Sequence, residues 1–545
     1  MVIRKSCKGQ WMCVCETSDV VALERECADS QSRWQRFGTV MVWAVLLYGF
    51  VARLFGLLTR ESLWLDETAI AHNIVFRSIT QMHEPLVYNQ SAPLGFLYLI
   101  KLNTLVFGVS DITLRLLPCL FGIALLWVMY QFTKQFGRLV LLAVLLVFTA
   151  SYFQLEYSIQ IKQYTCDGFM AMLAIIFACR CVERFQQRDP QAMRHLIWLG
   201  VFGVISTWFS FVNIIILAGI GLTLLIFFFM QREKRAVIGM FIIGGLWLLS
   251  LGLHYAVFLS SQDGNDFLKE YWVNGFAPFP PISLSDLKWY PAKYFYAFSD
   301  PAGFKLRYAA GVLAVFGVVG LWRWNRWQCV MVLSCLPFVF LLSAMKMYPF
   351  LGRVIQYLVP LFVLLVGFGI VAFSRLLFKR TVSQTIFAAV LILMLIVPSV
   401  SEHTSRIWLR PAQSDGHDTI TRLQLHSDAS QLIYTDRHTR IGFEYFATLH
   451  GVELNVLHDD YSYETGAQNQ TLHEQTVLKL QQIINQTTNE AWLLVENYQP
   501  TDGSPSIETR LTAYLNLYGK MVDRYPTKLG VLLRYRFDHP AAKDD

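Results

Sequence analysis

The sequence predicts a polytopic α-helical membrane protein with about eleven transmembrane helices, further interfacial helices and a C-terminal soluble α/β domain. Three observations support this prediction. Hydrophobic residues make up 54% of the 545 residues and charged residues only 16%, which is unlike the composition of soluble domains. Apolar segments of bilayer length recur up to residue 400. Beyond that residue the pattern changes to short strands and amphipathic helices.

The N-terminal segment, residues 1–37, is polar and mixed in charge, so we expect it to stay in the cytoplasm and not to act as a cleaved signal peptide. The membrane domain follows at 38–400. About 20 apolar residues cross the hydrocarbon core. Applied along the chain, this length places spans at 38–58, 115–133, 138–155, 165–182, 195–209, 211–230, 236–259, 307–322, 328–345, 354–374 and 383–400.

The segment 93–107 is apolar but short and carries Lys101 and Asn103, so we interpret it as an interfacial helix. The basic clusters support this interpretation, because Lys and Arg concentrate in cytoplasmic loops. All of them then fall on the side of the N-terminus, at Lys134 and Arg138, 180–194, 232–235, Arg323 and Arg326, and 375–380. The loops on the opposite, non-cytoplasmic face are 59–114, 156–164, 260–306 and 346–353.

The C-terminal domain, residues 401–545, has an α/β pattern, and we place it outside the cytoplasm. Strands are predicted at 432–435, 454–457, 491–496, 520–525 and 531–537, with helices near 438–450, 471–487 and 507–518. This order predicts a small, mostly parallel sheet that ends in a hairpin. No glycine-rich phosphate-binding motif follows a strand, so an accessory or acceptor-docking role is favoured over nucleotide binding.

The cysteines and the net charge each exclude a class of function. The ten cysteines include none beyond Cys335 and give no disulfide framework. Cys13 and Cys15 have no further ligands at zinc-site spacing, which disfavours a metal there. The net charge of +7 does not indicate nucleic-acid binding, because the basic residues lie between apolar segments and not on one face of a folded domain.

The membrane domain is organised around two adjacent carboxylates, Asp66 and Glu67, which follow the apolar and aromatic run 63–65 after the first span. Adjacent acidic residues are often loop charges or helix caps. Here, however, they lie beside residues typical of the lipid interface, where a charge is costly unless it has a function or a partner. We therefore predict that both are functional.

The other non-cytoplasmic loops carry cations, hydroxyls and further carboxylates. The candidate substrate-binding residues are Glu84, Glu156, Lys162, Tyr164, Lys346, Tyr348 and Arg353, and Asp167 is a third candidate catalytic residue. Such groups suit a polyprenyl-phosphate sugar, whose departing phosphate needs cations and hydroxyl donors. The acceptor must lose a proton to a carboxylate, for which we choose Asp66. One base without an enzyme nucleophile implies inversion at the anomeric carbon. As an alternative, the cations could be snorkelling anchors at helix ends.

Several of these motifs together resemble the GT-C glycosyltransferases. They are 63–67, Pro93 with Leu94, 115–118, 162–164 with Asp167, and 348–353. Over roughly residues 38–400 the chain resembles in particular the group that contains the protein O-mannosyltransferases and the lipid A aminoarabinose transferase. It departs from this group at 91–94, which lacks a double proline, and at Lys162, where many relatives have arginine.

The resemblance implies a polyprenyl-phosphate-linked sugar donor and an active site outside the cytoplasmic membrane. It also implies a catalytic aspartate in the first external loop, which matches Asp66. A second acidic residue from the next external loop would match Asp167 or, less well, Glu156. The expected activity is inverting transfer of a hexosyl or pentosyl group to a hydroxyl or amine of a lipid, glycan or protein at the inner membrane.

Two other function classes remain open at this point. A transporter or flippase of a lipid-linked sugar also places charges within a membrane domain, although the paired repeats typical of transporters are not seen. A polysaccharide polymerase or ligase would use a diphosphate-linked lipid. No cofactor is expected to be required. Asp66, Glu67 and Asp167 could share a divalent cation, but the nearby Lys and Arg side chains could replace it.

Overall fold

The computed structural model describes residues 2–5, 11–14, 17–60, 62–258, 270–403, 416–426, 431–459, 472–486, 490–496, 505–527 and 529–537. Side chains are described from Arg36 onward, apart from 401–403. Cys15 of the rejected metal motif and residues 404–415 at the start of the predicted C-terminal domain lie outside this range. At the N-terminus, strands β1 (Val2–Lys5) and β2 (Trp11–Val14) pair antiparallel.

The membrane domain is built from helices that follow one another with short connections. They are α1 (Thr17–Thr59), α2 (Leu65–Val75), α3 (Leu94–Phe107), α4 (Asp111–Thr133), α5 (Arg138–Ala150), α6 (Tyr152–Glu156), α7 (Tyr164–Gln186), α8 (Ala192–Phe209), α9 (Asn213–Gln231), α10 (Lys234–Val257), α11 (Leu284–Ser299), α12 (Arg307–Trp324), α13 (Arg326–Leu333), α14 (Leu336–Ala344), α15 (Val359–Leu377) and α16 (Thr381–His403). The polytopic helical fold predicted from composition is therefore confirmed.

Among the described residues, nine helices are long and apolar enough to cross a membrane, or ten if α5 and the segment after it form one span. By length and composition this is one or two fewer than the predicted number of about eleven. The predicted span 138–155 bends by 67° between α5 and α6. The predicted span 307–322 corresponds to α12, which has 18 residues with arginines near both ends and is not among the nine. Helix α3 is short and apolar, as predicted for 93–107.

Helices α12 and α15 cross in direct backbone contact. A Cβ atom on Gly317 would lie 1.8 Å from the carbonyl oxygen of Leu365, and one on Gly369 would lie 1.8 Å from that of Leu313. Small residues allow membrane helices to approach this closely and to pack through van der Waals contacts. The contact fixes α12 against the bundle, and it also fixes α15, which continues directly from a 3-10 segment, Gly352–Leu358, at the candidate site.

The soluble domain contains a five-stranded sheet with the strand order β4-β3-β5-β7-β6. Its elements are α17 (Gly416–His426), β3 (Leu432–Thr435), α18 (Arg437–Leu449), β4 (Asn455–His458), α19 (Glu474–Gln486), β5 (Glu490–Val495), α20 (Ile507–Leu515), β6 (Gly519–Pro526) and β7 (Val531–Phe537). The predicted α/β class and the terminal hairpin are present. Only two of the four strand pairs are parallel, however, so the sheet is mixed and not mostly parallel.

The soluble domain packs directly on the first loop of the membrane domain. Ile70 and Ile74 of α2 share one buried cluster with Phe443 and Tyr445 of α18. The Ser62 hydroxyl also accepts a hydrogen bond of 3.1 Å from a backbone N–H of α17. The loop that carries the paired carboxylates therefore lies between the membrane helices and the soluble domain.

Candidate active site

Helix α2 presents Asp66 and Glu67 in its first turn, where the positive end of the helix dipole favours carboxylates. Neighbouring residues on a helix point about 100° apart. The two carboxylates consequently meet different partners. Asp66 remains about one quarter exposed at 23%, whereas the side chain of Glu67 is fully buried.

Asp66 pairs with Arg353. The Oδ2 atom of Asp66 accepts a hydrogen bond from Nη1 of Arg353, and the guanidinium lies 5.8 Å from the ring centre of Trp272. Gly352, just before this arginine, has a left-handed φ of 52°, and a Cβ there would lie 3.4 Å from a carboxylate oxygen of Asp300. The structure therefore brings together predicted residues from the first and fourth loops.

Lys162 lies beside this pair. Its side chain is buried, and its Nζ donates a hydrogen bond of 2.7 Å to Oε1 of Gln90. Burial lowers the pKa of Lys162 to about 8, although the negative charge of Asp66 acts to raise it. The second loop thus contributes a buried cation to the site.

Glu67 is bound into a buried ion pair. Arg115 donates two hydrogen bonds to its oxygens, of 2.9 and 2.7 Å, and the backbone N–H of Ile161 donates a third of 3.0 Å. Burial raises the pKa of Glu67, but the positive charges of Arg115 and Arg60 lower it by more. The pKa of Glu67 therefore lies below its usual value. Both oxygens are occupied within the protein, which argues against the catalytic role predicted for Glu67. It joins α2 to the turn that holds Lys162.

Two other predicted substrate-binding carboxylates also have different surroundings. Glu156 is buried, and its Oε1 accepts hydrogen bonds of 2.8 Å from Arg60 and 2.7 Å from Gln160. Glu84 is exposed, and Arg77 donates a hydrogen bond of 2.9 Å to its backbone carbonyl. The contacts of Glu156 argue against substrate binding. Among the described residues, no hydrogen bond or ion pair joins the Glu84 side chain to Asp66.

The aromatic residues and Asp167 line the buried side of the site. Tyr164 packs edge-on against Tyr157 at 4.9 Å between ring centres, and the hydroxyl of Tyr348 donates a hydrogen bond to the carbonyl of Val354. Asp167 is buried close to the Ser210 hydroxyl, and within the described part of the chain its Oδ1 atom has no hydrogen-bond partner. Such a carboxylate oxygen is costly unless it has a function.

Lys346 lies apart from the other cations. It is exposed, with a left-handed φ of 57°, and no contact of its ammonium is recorded within the described residues. Its position fits the alternative of an interfacial anchor as well as that of a phosphate ligand.

Sequence reasoning missed several residues of the site. Arg115 begins the motif at residues 115–118, but an arginine at this position does not by itself indicate a pair with Glu67. Asp300 lies near Arg353 and accepts a hydrogen bond of 3.0 Å from the Tyr296 hydroxyl. Burial raises the pKa of Asp300, while Tyr296 and Arg353 act to lower it, and the net shift is upward. Only Asp300's position in an aromatic loop on the predicted non-cytoplasmic face could have suggested it.

The three carboxylates considered as ligands of a shared cation have separate surroundings. Asp66 faces Arg353, Glu67 faces Arg115, and Asp167 is buried at the start of α7. Across the described ranges, no group of three or more His, Cys, Asp or Glu side chains is arranged to hold a metal ion.

Over most of its length, this chain is similar in fold to ArnT from Cupriavidus metallidurans. The crystal structure of ArnT bound to undecaprenyl phosphate superimposes with a TM-score of 0.50 and 13% identity, over 91% of this chain and 97% of that chain. The apo crystal structure gives a TM-score of 0.49 and 12% identity over 93% and 98%. The cryo-EM structure of the arabinofuranosyltransferase AftD from Mycobacteria gives a TM-score of 0.44 and 14% identity, over 93% of this chain and 40% of that chain.

No protein-family model matches the sequence, and none of the curated proteins matches it. The GT-C fold predicted from the sequence motifs is confirmed by the similarity to ArnT. With 91% of the chain covered, this similarity extends beyond residues 38–400 and includes much of the soluble domain.

Proposed function

We propose that this chain is an inverting glycosyltransferase. It would move a hexosyl or pentosyl group from a polyprenyl-phosphate donor to a hydroxyl or amine of a lipid, glycan or protein. The observation that supports this most is the Asp66–Arg353 pair with Lys162 beside it, because a base and two cations are the groups that the reaction needs. The crystal structure of ArnT bound to undecaprenyl phosphate supports a lipid phosphate as ligand of this fold.

In the proposed reaction, the acceptor oxygen or nitrogen attacks the anomeric carbon from the face opposite the phosphate. The bond from that carbon to the phosphate oxygen breaks, and its electron pair stays on the phosphate. The acceptor's proton passes to the carboxylate of Asp66. Arg353 and Lys162 hold the phosphate and stabilise its charge. The products are an inverted glycoside and a polyprenyl phosphate.

The Asp66–Arg353 pair suggests how donor binding prepares the base. A carboxylate paired with a guanidinium is a weak base, because the positive charge stabilises its ionised form. A donor phosphate that binds Arg353 competes with Asp66 for the same hydrogen-bond donors. Binding of the donor would therefore release Asp66 to accept the acceptor's proton. The unpartnered oxygen of Asp167 is our candidate for a contact to a sugar or acceptor hydroxyl.

We place the site on the non-cytoplasmic face of the inner membrane, with the N-terminus in the cytoplasm, because the basic clusters lie at the opposite helix ends. Cysteine labelling of intact cells tests this orientation. A cysteine at Leu478, which is exposed in the soluble domain, should react, and one at Lys234 should not. The reverse result would contradict the orientation.

The decisive experiment supplies purified protein with radiolabelled polyprenyl-monophosphate and polyprenyl-diphosphate sugars and an extract of candidate acceptors. Label should move to an acceptor from the monophosphate donor alone, with inversion at the anomeric carbon. Transfer only from the diphosphate donor would favour a polymerase or ligase. Movement of intact donor across vesicles without transfer would favour a flippase.

Arg353 provides a test of donor binding. Replacing it with alanine removes a guanidinium that can donate two hydrogen bonds to a phosphate, whereas lysine keeps a point charge. A hydrogen bond to a charged group contributes about 1.5–3 kcal/mol. We therefore expect Arg353→Ala to raise the KM for the donor roughly 10- to 100-fold, and Arg353→Lys to raise it less. Arg184→Ala, which removes a half-exposed pair with Asp189, is the matched control. Wild-type KM values for both Arg353 variants would assign Arg353 to anchoring.

A further inference from the structure

A chain of three hydrogen bonds leads from the soluble domain to Lys162. The Tyr88 hydroxyl donates to Oε2 of Glu444 on α18. The Gln90 side-chain amide donates from Nε2 to the backbone carbonyl of Tyr88 at 3.2 Å, and its Oε1 accepts from Nζ of Lys162 at 2.7 Å. The first loop therefore forms a continuous polar connection between the two domains.

The chemistry of its neighbours fixes the orientation of the Gln90 amide. A backbone carbonyl can only accept a hydrogen bond, and an ammonium can only donate one. Only one of the two amide orientations satisfies both partners, with nitrogen toward Tyr88 and oxygen toward Lys162. The position of the Tyr88 backbone consequently determines where the acceptor for Lys162 lies.

The Tyr88 backbone is itself held in an uncommon conformation. Tyr88 and Asn89 have left-handed φ angles of 63° and 53°; asparagine adopts this region readily, whereas a tyrosine there is strained. Two contacts outside this segment hold Tyr88. Its ring packs edge-on against His72 at 5.2 Å, and its hydroxyl is bound by Glu444. Residues that are strained in this way persist only where the surrounding structure fixes them.

We propose that Tyr88 and Glu444 are positioning residues for Lys162, so that the soluble domain sets how the membrane domain binds a lipid phosphate. The inference rests on the proposed function, since it assigns Lys162 to the donor phosphate. It gives the soluble domain a role in donor binding that is separate from acceptor docking.

The charged groups around the two ends of this hydrogen-bond chain, Glu444 and Lys162, support this role. Glu444 also accepts a hydrogen bond of 2.7 Å from Arg440 and lies 3.5 Å from Nε2 of His458. Burial raises the pKa of Glu444, but the bonds from Tyr88 and Arg440 lower it below its usual value, so it is ionised at neutral pH. His72 also faces it.

At the Lys162 end of the hydrogen-bond chain, the ammonium faces the charged side chains of Asp66, Arg353 and Glu67. An acceptor aimed at an ammonium stabilises its charged form. If the Gln90 amide is no longer held, the charged form of Lys162 loses this acceptor, so the pKa of Lys162 falls and its charge is lost at a lower pH.

Binding of undecaprenyl phosphate to the full-length protein in detergent, measured from pH 6.5 to 9.5, tests the inference. We expect wild-type affinity to decline as the pH passes the pKa of Lys162. Tyr88→Phe and Glu444→Met, each of which removes one partner of the Tyr88–Glu444 hydrogen bond, should each weaken binding at pH 7 roughly three- to tenfold and shift the decline to lower pH. The double variant should bind undecaprenyl phosphate no more weakly than either single variant, because both substitutions break the same hydrogen bond.

A Lys162→Met background isolates the lysine from the titration of the phosphate itself. In that background Tyr88→Phe should have no further effect. Tyr98→Phe, which removes a hydroxyl from a half-buried tyrosine of α3, is the matched control and should bind like wild type. An unchanged pH profile in Tyr88→Phe, or an equal loss with and without Lys162, would overturn the inference. Failure of wild type to bind undecaprenyl phosphate at any pH would instead contradict the proposed function.

Discussion

Asp66→Asn is expected to reduce transfer by roughly 100- to 10,000-fold, the range that a positioned general base contributes. The amide keeps the shape of the side chain and can still accept a hydrogen bond from Arg353 through its carbonyl oxygen. It has no basic oxygen to take the acceptor's proton. Transfer and donor binding should be measured on the same detergent preparation, because the prediction concerns the difference between them.

Donor binding should survive in Asp66→Asn, since Arg353 and Lys162 hold the phosphate and lose a competing anion. Glu67→Gln is the comparison variant. Both oxygens of its carboxylate are bound by Arg115 and the backbone N–H of Ile161, so its effect on the chemical step should be smaller than that of Asp66→Asn. A folded Asp66→Asn protein with near-normal turnover would refute the mechanism. A variant that binds no donor would make Asp66 a binding residue and not a base.

Arg115→Met is expected to destabilise the protein by about 3–5 kcal/mol, the usual result of removing one partner from a buried ion pair. It leaves the Glu67 carboxylate buried with Arg60 at 3.9 Å as its nearest cation. The hydrogen bond from Ile161 cannot compensate for two lost bonds from a guanidinium. A strongly lowered melting temperature in detergent is the expected measurement.

The matched control replaces both partners. In the double variant Glu67→Leu with Arg115→Met no charge is left unpaired, and Arg60 keeps its pair with Glu156. Replacing a whole buried pair with apolar groups is often close to neutral. The double variant should therefore melt well above Arg115→Met. If Arg115→Met alone melts like wild type, the pair does not stabilise the fold as its geometry indicates.

The sequence predicted the parts of the fold that depend on local properties. Span positions follow from hydropathy, and the short helix α3 follows from its length and from Lys101. Asp66 and Arg353 were selected as candidates because carboxylates and cations are rare at a lipid interface and both residues fell on one predicted face. None of these predictions required knowledge of which residues meet in space.

The features that the sequence did not predict depend on tertiary contacts. Glu67 and Glu156 share their residue type and interfacial position with Asp66, and only tertiary contacts with Arg115 and Arg60 distinguish them. The mixed sheet depends on β7 pairing with β5, which strand order along the chain does not reveal. The close crossing of α12 and α15 likewise depends on which backbones meet, and the apolar stretch that predicted the span 307–322 does not reveal it.

The contact between α12 and α15 has a genetic consequence. At Gly317 and at Gly369 the atom that excludes a side chain is a backbone carbonyl oxygen, of Leu365 and of Leu313 respectively. A substitution elsewhere can shorten a neighbouring side chain, but none can remove a carbonyl. Loss of either glycine therefore has no second-site suppressor among the residues it touches, and reversion to glycine is the direct way back to the same helix crossing.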